Sequence, residues 1–354
     1  MAVRSHTVAT NGVRLRVTEA GEPGAPVVVL SHGFPELAFS WRHQIRGLAD
    51  AGYHVLAPDQ RGYGGSDRPA AVEAYDVAEL SADVVGLLDA VGAEQAVLVG
   101  HDFGAVVAWA APLLHPQRFR AVAGLSLPPV PRPKVPTTQA FRRLFGDQFF
   151  YILYFQEPGP ADAELAADPA TTFRRLFATT QGSDELAAQR MLAPGTQGFL
   201  ARIPEPGDLP AWITPDDFQV YVDEFTRGGF SAPLNWYRCF DRNWELTAGP
   251  PAPTINTLDA SSFRWPWLPT WSMMICRLYR WTWSGVSAIA SVIIGSSLER
   301  QFKRIRDYRI AHTRACFPRC SSIAFSYFPF KNGGSCPSCM IWLPFQHGSL
   351  SSTI

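Results

Sequence analysis

Gly100-His-Asp-Phe-Gly104 places a carboxylate midway between two glycines. The run Val97-Leu-Val99 before it is apolar and strand-like, and Ala105–Leu114 after it has a helical pattern. Strand, Gly-x-Asp-x-Gly, helix has the shape of a nucleophile elbow, whose glycines permit a sharp turn and close packing around it. Such a turn lifts the middle side chain, Asp102, to the tip of a sheet beside the free N–H groups of a helix N-terminus. A carboxylate there can attack an alkyl carbon and give an alkyl ester that water then hydrolyses. The same residues could form a tight turn with an N-cap aspartate and no chemistry. The strands around them decide for the nucleophile.

Ser31-His-Gly-Phe-Pro35 follows the first buried strand. In an architecture with such an elbow this loop supplies one backbone N–H of an oxyanion hole, and the residue after the nucleophile supplies the other. Those residues are Phe34 and Phe103. Alone, His-Gly-x-Pro is weak and a structural turn would explain it; its place one strand unit ahead of the elbow gives it weight. His32 reads as a packed loop histidine, not a base.

The elements that must position these groups are legible in outline. Asn11-Gly12 reads as a hairpin turn between His6–Ala9 and Val13–Thr18, where apolar residues alternate. Pro26–Leu30, Tyr53–Ala57, Ala96–Val99 and Val122–Leu125 are short apolar runs of the kind buried on both faces. Between them, Leu80, Val84, Leu87, Leu88 and Val91 keep a helical period. The alternation predicts an α/β fold, a mostly parallel sheet with helices on both faces. Residues 1–127 read as the first part of that core. Residues 128–230, rich in Pro and Phe and without a clear strand, read as a helical lid over the sheet's carboxyl edge, and 231–255 as the return toward the core.

Composition divides the chain at a seam. Residues 1–255 hold 28 acidic and 20 basic residues, whereas 256–354 hold 3 and 11, so that the whole is formally neutral. Five of the six cysteines and six of the eleven tryptophans also lie beyond residue 255. Overall neutrality gives no reason to expect nucleic acid or an anionic membrane as partner. The polar N-terminal stretch has no secretory pattern, so a cytoplasmic location is expected.

His32-Gly-Phe-Pro-Glu36 with Ser40-Trp-Arg-His-Gln44, Asp59-Gln-Arg-Gly-Tyr-Gly-Gly-Ser66 and Gly100-His-Asp-Phe-Gly104 resemble the soluble epoxide hydrolases, bacterial members especially. Tyr151-Ile-Leu-Tyr-Phe-Gln-Glu-Pro-Gly159 and Leu234-Asn-Trp-Tyr-Arg238 add two lid stretches diagnostic of that family, and the resemblance runs from about Thr7 to Thr254. It implies the α/β-hydrolase fold, no cofactor and no metal, and a small apolar epoxide as substrate, with a homodimer as an assembly to consider. By the same resemblance Tyr151 and Tyr237 hold the epoxide oxygen, since a phenol can donate while neutral. Tyr154 is the rival to Tyr151, and the motif favours Tyr151; each could equally be an aromatic of the lid core. Phe34, Trp41, Phe103 and Phe155 are expected to line the substrate slot. Phe103 departs from the tryptophan common after the nucleophile, which keeps the backbone role and alters the pocket. A haloalkane dehalogenase uses the same fold and nucleophile but favours indole or amide donors. A remnant that binds apolar ligands without turnover is a third reading.

The resemblance also implies an acid after a buried strand and a histidine in a Gly-His-Trp-like loop, both beyond the lid. The chain offers Asp259, Asp307, His312 and His347 there, without the expected neighbours, and no strand pattern near residue 256. Residues 256–354 therefore read as an atypical tail, such as an altered reading frame would produce. The uncharged 281–298 is diluted by serine and glycine, so no membrane span is expected. Cys316, Cys320, Cys336 and Cys339 approximate zinc-ligand spacing, which chance supplies readily in a tail of this composition.

Overall fold

A computed structural model describes residues 2–178, 185–204, 207–248 and 256–260. Asn11 and Gly12 both take positive φ, 42° and 74°, in the tight turn joining β1 (Arg4–Thr10) to β2 (Val13–Ala20). The apolar runs become β3 (Val27–Ser31), β4 (His54–Pro58), β5 (Ala96–His101) and β6 (Phe119–Leu125), and β7 (Asn256–Ala260) is the last strand among the described residues. The order is β1-β2-β4-β3-β5-β6-β7, with β1–β2 and β2–β4 antiparallel and every later pair parallel.

β3 is buried at every residue and divides its side chains between two cores. Val27 and Val29 pack with Leu87 of α2 (Val77–Ala90) and Val107 of α3 (Phe103–Leu114). Val28 and Leu30 pack on the opposite face with Ile45 and Leu48 of α1 (Arg42–Asp50). Asp76 caps α2 by accepting the Glu79 N–H at 2.9 Å. The sheet grows from β3 in two directions, to β4 on one side and β5 on the other. This switch point is where open α/β sheets leave a crevice beyond their strand ends. The loops leaving β3 and β5 are the ones that carry Phe34 and Asp102.

Between β6 and β7 the regular elements among the described residues are helical. In order come α4 (Thr137–Phe145), α5 (Tyr151–Tyr154), α6 (Pro160–Ala166), α7 (Pro169–Ala178), α8 (Glu185–Leu192) and α9 (Pro215–Gly228). Then α10 (Ser231–Arg238) and α11 (Phe240–Leu246) carry the helical run past residue 230. α9 is fastened to the core by polar contacts that include Arg16 with Glu224 at 2.8 Å, Arg42 with Asp217 at 2.9 Å, Ser40 with the Tyr221 hydroxyl at 2.9 Å, and Arg227 donating to the Gly64 carbonyl at 3.3 Å.

β7 corrects an expectation. Asn256-Thr-Leu-Asp-Ala260 lacks the apolar run of a buried strand, yet its backbone pairs in parallel with Ala121–Leu125 of β6, Asp259 opposite Gly124. The edge of β6 explains this, because a row of unpaired N–H and C=O groups recruits an extended segment tethered nearby. Asp307, His312, His347, the segment 281–298 and the four tail cysteines lie outside the described residues. Among the described residues no helix is long and apolar enough to cross a membrane, and no side-chain cluster could hold a metal ion.

Candidate active site

The turn after β5 is built on close approach. A Cβ at Gly100 would fall on the carbonyl oxygen of Gly104, and one at Gly104 on that of Ser31, so neither position admits a side chain. Asp102 takes φ 51° and ψ −122°, a conformation uncommon for any residue but glycine, and α3 starts directly after it. Its Oδ1 accepts the Phe34 N–H at 3.1 Å, and the Phe103 N–H lies close enough to favour the charged carboxylate. Burial raises the Asp102 pKa above the ordinary aspartate value; His101 and the two N–H groups act against that rise, and the Glu36 charge adds to it. These N–H groups are the two expected to form the oxyanion hole.

Behind the carboxylate lies a buried polar chain that pattern reading missed. His101 Nδ1 pairs with Glu36 Oε2 at 2.9 Å, and its Nε2 meets Ser126 Oγ at 2.9 Å. Glu36 Oε2 also accepts the Gly33 N–H at 2.8 Å, which fixes the loop presenting Phe34. Burial opposes charge on both partners, yet Glu36 and Asp102 raise the His101 pKa, and His101 with the Gly33 N–H lowers that of Glu36. The signal was in view, a histidine beside Asp102 and a glutamate closing the His-Gly-Phe-Pro motif. Their contact, across 65 residues, is not local.

His32 has both ring nitrogens engaged. The Gln60 N–H can only donate, so the Nε2 that receives it at 3.1 Å is unprotonated, and Nδ1–H donates to the Gly33 carbonyl at 2.9 Å. Burial lowers its pKa. A neutral histidine with both nitrogens occupied has no lone pair left for a substrate. Asp59 is likewise a brace, accepting N–H groups of Ala38 at 2.9 Å and Gly65 at 3.0 Å, and bonding the Arg16 guanidinium at 2.6 Å.

Aromatic rings from the helices after β6 gather with Phe34 and Phe103 beside Asp102. Tyr237 lies 5.2 Å from Phe34, 5.1 Å from Phe103, 5.2 Å from Phe155 and 6.2 Å from Tyr151, centroid to centroid. Burial and then the Asp102 charge push the pKa of both phenols up, so both stay protonated near that charge. Phe199, 5.3 Å from Phe155, and Phe240, 5.4 Å from Phe103, extend the enclosure and were not singled out beforehand. Tyr154 is directed elsewhere: its hydroxyl donates to Glu164 at 3.0 Å, and burial followed by Glu164 pushes its pKa up to about 12.

Trp41 is not brought to this enclosure. It packs among Val28, Leu30, Ile45 and Leu48 in the core on the other face of the sheet, which corrects the expectation that it lines the slot. It lies seven residues past Phe34, beyond a short helical turn (Ala38–Trp41), and Ala38 and Trp41 point to that far core together. The rings of Phe34, Phe103, Phe155, Tyr151 and Tyr237 do come together around the tip of β5.

The fold is that of an α/β hydrolase, and a model of the α/β hydrolase fold matches residues 26–199. The chain is 68% identical to Epoxide hydrolase A of Mycobacterium tuberculosis over 250 residues, 70% of this chain and 78% of that protein. It is 42% identical to Epoxide hydrolase 3 of Siraitia grosvenorii over 244 residues, 68% and 74% of the two chains. The crystal structure of Epoxide Hydrolase A from Mycobacterium thermoresistibile superposes with a TM-score of 0.71 at 60% identity, covering 73% of this chain and 82% of that one. The chain belongs to the epoxide hydrolase family; its C-terminal region lies outside the match.

Proposed function

We propose that the chain opens a small apolar epoxide to a vicinal diol through an ester on Asp102. The observation that carries this is the Asp102 carboxylate, one oxygen held by the Phe34 N–H, beneath two protonated phenols in an aromatic enclosure. With Oδ1 engaged, Oδ2 attacks a ring carbon. The ring C–O bond breaks, its electron pair goes to the ring oxygen, and that oxygen takes a proton from Tyr151 or Tyr237. Water then adds to the ester carbonyl, and the oxyanion that forms on Oδ1 is stabilised by the Phe34 and Phe103 N–H groups. Collapse breaks the ester C–O bond; the leaving alkoxide takes the proton removed from the water and departs as diol, and the proton left on the new carboxyl group returns to the tyrosinate, restoring both carboxylate and phenol. A base must take the water's proton, and the region that supplies it in the family falls beyond the described residues.

Relatives named epoxide hydrolases support this reading over dehalogenation. Three indoles are also engaged elsewhere: Trp109, Trp236 and Trp244 donate to the carbonyls of Leu127, Arg61 and Pro133. We place the protein in the cytoplasm, without a nucleic-acid or membrane partner, with a homodimer as the assembly to test by sedimentation. The sequence's near-neutral charge supports the absence of a nucleic-acid or anionic-membrane partner.

The test is incubation with styrene oxide, counting diol per mole of protein and weighing the peptide that carries Asp102. An adduct on that peptide, absent from Asp102→Asn, is expected. Many equivalents of diol would show that a base completes the cycle. About one equivalent with a persistent adduct would mean that the ester forms without being cleared. Neither adduct nor diol would refute the proposal.

A further inference from the structure

Two phenols can share one developing alkoxide only if their carriers keep a fixed separation. Those carriers are weak elements. α5 is a single turn, Tyr151–Tyr154, and such a turn is not stable by itself. α10 has eight residues and comes from a different part of the lid. Their tyrosines are 86 positions apart in sequence, and the two rings meet at 6.2 Å without a covalent or strand-like link.

Gln156 spans the gap. Its side-chain amide nitrogen donates to the Ile152 carbonyl at 2.9 Å and to the Tyr237 carbonyl at 2.9 Å. An amide NH2 has two hydrogens, and both are used here, one on each tyrosine-bearing turn. The acceptors are the carbonyl of Ile152, the residue after Tyr151, and the carbonyl of Tyr237 itself. A carboxylate in its place would repel both carbonyls, and an asparagine is one methylene shorter. A second link, Arg238 Nε to the Phe155 carbonyl at 3.2 Å, joins the same turns one residue beyond the tyrosine. It keeps the helices together when the amide is removed, so the tyrosine spacing can be perturbed without detaching the lid.

We propose that Gln156 is a positioning residue for epoxide opening, setting the separation of the Tyr151 and Tyr237 hydroxyls through its two hydrogen bonds. It touches no reacting atom, and its role rests on the function proposed above. Loss of the amide lets the two turns drift, and misplacement of about 1 Å costs up to about a hundredfold in rate.

The experiment is a double-mutant cycle on the rate at which styrene oxide at saturating concentration adds to Asp102, read by intact mass. Wild type, Gln156→Met, Tyr237→Phe and the double variant are compared, each with its thermal melt. Gln156→Met is expected to slow alkylation about tenfold or more while leaving half-saturation within about twofold. In the Tyr237→Phe background the same change is expected to add less than about twofold, because the hydroxyl it positions is gone. Gln156→Glu keeps the shape, repels both carbonyls and should be slower than Gln156→Met; it replaces that variant if Met fails to fold. Equal slowing in both backgrounds would assign Gln156 a merely structural part and overturn the proposal. Wild-type alkylation by a folded Gln156→Met protein would overturn it while leaving the Asp102 chemistry intact. Absence of an adduct on wild type would overturn both together.

Discussion

Gly33 is the residue whose enlargement separates the two halves of the Asp102 chemistry. A Cβ there would lie 2.8 Å from Asp102 Oδ1 and 2.8 Å from the His101 carbonyl oxygen, and nearer still to Asp102 Cβ, where ordinary contact begins at 3.4 Å. None of these is the loose end of a flexible side chain, so Gly33→Ala must move the loop away from β5 by about 1 Å. The Phe34 N–H moves with it, stretching a 3.1 Å bond past hydrogen-bonding range. That donor binds the carboxylate before attack, so its loss costs alkylation only some positioning, about tenfold at most. Ester cleavage returns negative charge to the same oxygen, and a lost oxyanion donor there costs about 2.7–4 kcal/mol, or 10²–10³ in rate. The assay forms the styrene oxide adduct and then follows its disappearance by intact mass in added hydroxylamine. Hydroxylamine cleavage passes through the same oxyanion and does not depend on the protein's own base. Overpacking should also lower stability by about 1–3 kcal/mol, so the melt is recorded in parallel. A folded Gly33→Ala protein whose adduct is cleaved at the wild-type rate would refute the assignment of Phe34.

Other outcomes follow from the same geometry. Because burial raises the Asp102 pKa and only the carboxylate attacks, alkylation should fall as pH drops through an apparent pKa above 3.8. Both phenols are raised as well, so no loss from their ionisation should be seen up to about pH 10; a decline there that Tyr151→Phe abolishes would contradict this. Tyr237→Phe should slow alkylation about 10²-fold, whereas Tyr154→Phe, whose hydroxyl is engaged by Glu164, should stay within about twofold; equal effects would show that the two were assigned wrongly. Arg61 and Asp83 form a buried two-point pair at 2.6 and 2.5 Å. Arg61→Ala leaves that carboxylate uncompensated and should cost about 3–5 kcal/mol, a melting drop of about 10 °C; a change under about 2 °C would argue against the pair.

What could be read from the sequence was what is local. The elbow, the Asn11-Gly12 turn and the apolar strands depend on neighbours within a few residues, so their chemistry is written in order along the chain. Tyr151 and Tyr237 are different: each sits in an unremarkable aromatic stretch, and only the family resemblance distinguished them from core rings. Trp41 was misplaced because nearness in sequence to Phe34 does not say which face of the sheet a short helical turn will choose. β7 was missed because its pairing comes from the waiting edge of β6 and not from its own pattern. The Glu36–His101–Ser126 chain and the Gln156 bridge escaped for a common reason. Each is a polar contact between segments distant in sequence, which no periodicity encodes.

The φ of 51° at Asp102 has a consequence of another kind. A residue with a Cβ in such a conformation costs about 1–3 kcal/mol relative to one that enters it freely, and glycine is the residue that does. Asp102→Gly should therefore melt higher than the wild type while losing all reaction with epoxides. A laboratory evolution that rewarded heat resistance alone would drift toward glycine at this position and discard the Asp102 carboxylate without resistance from the fold. Any programme to harden this protein must select for turnover in the same round.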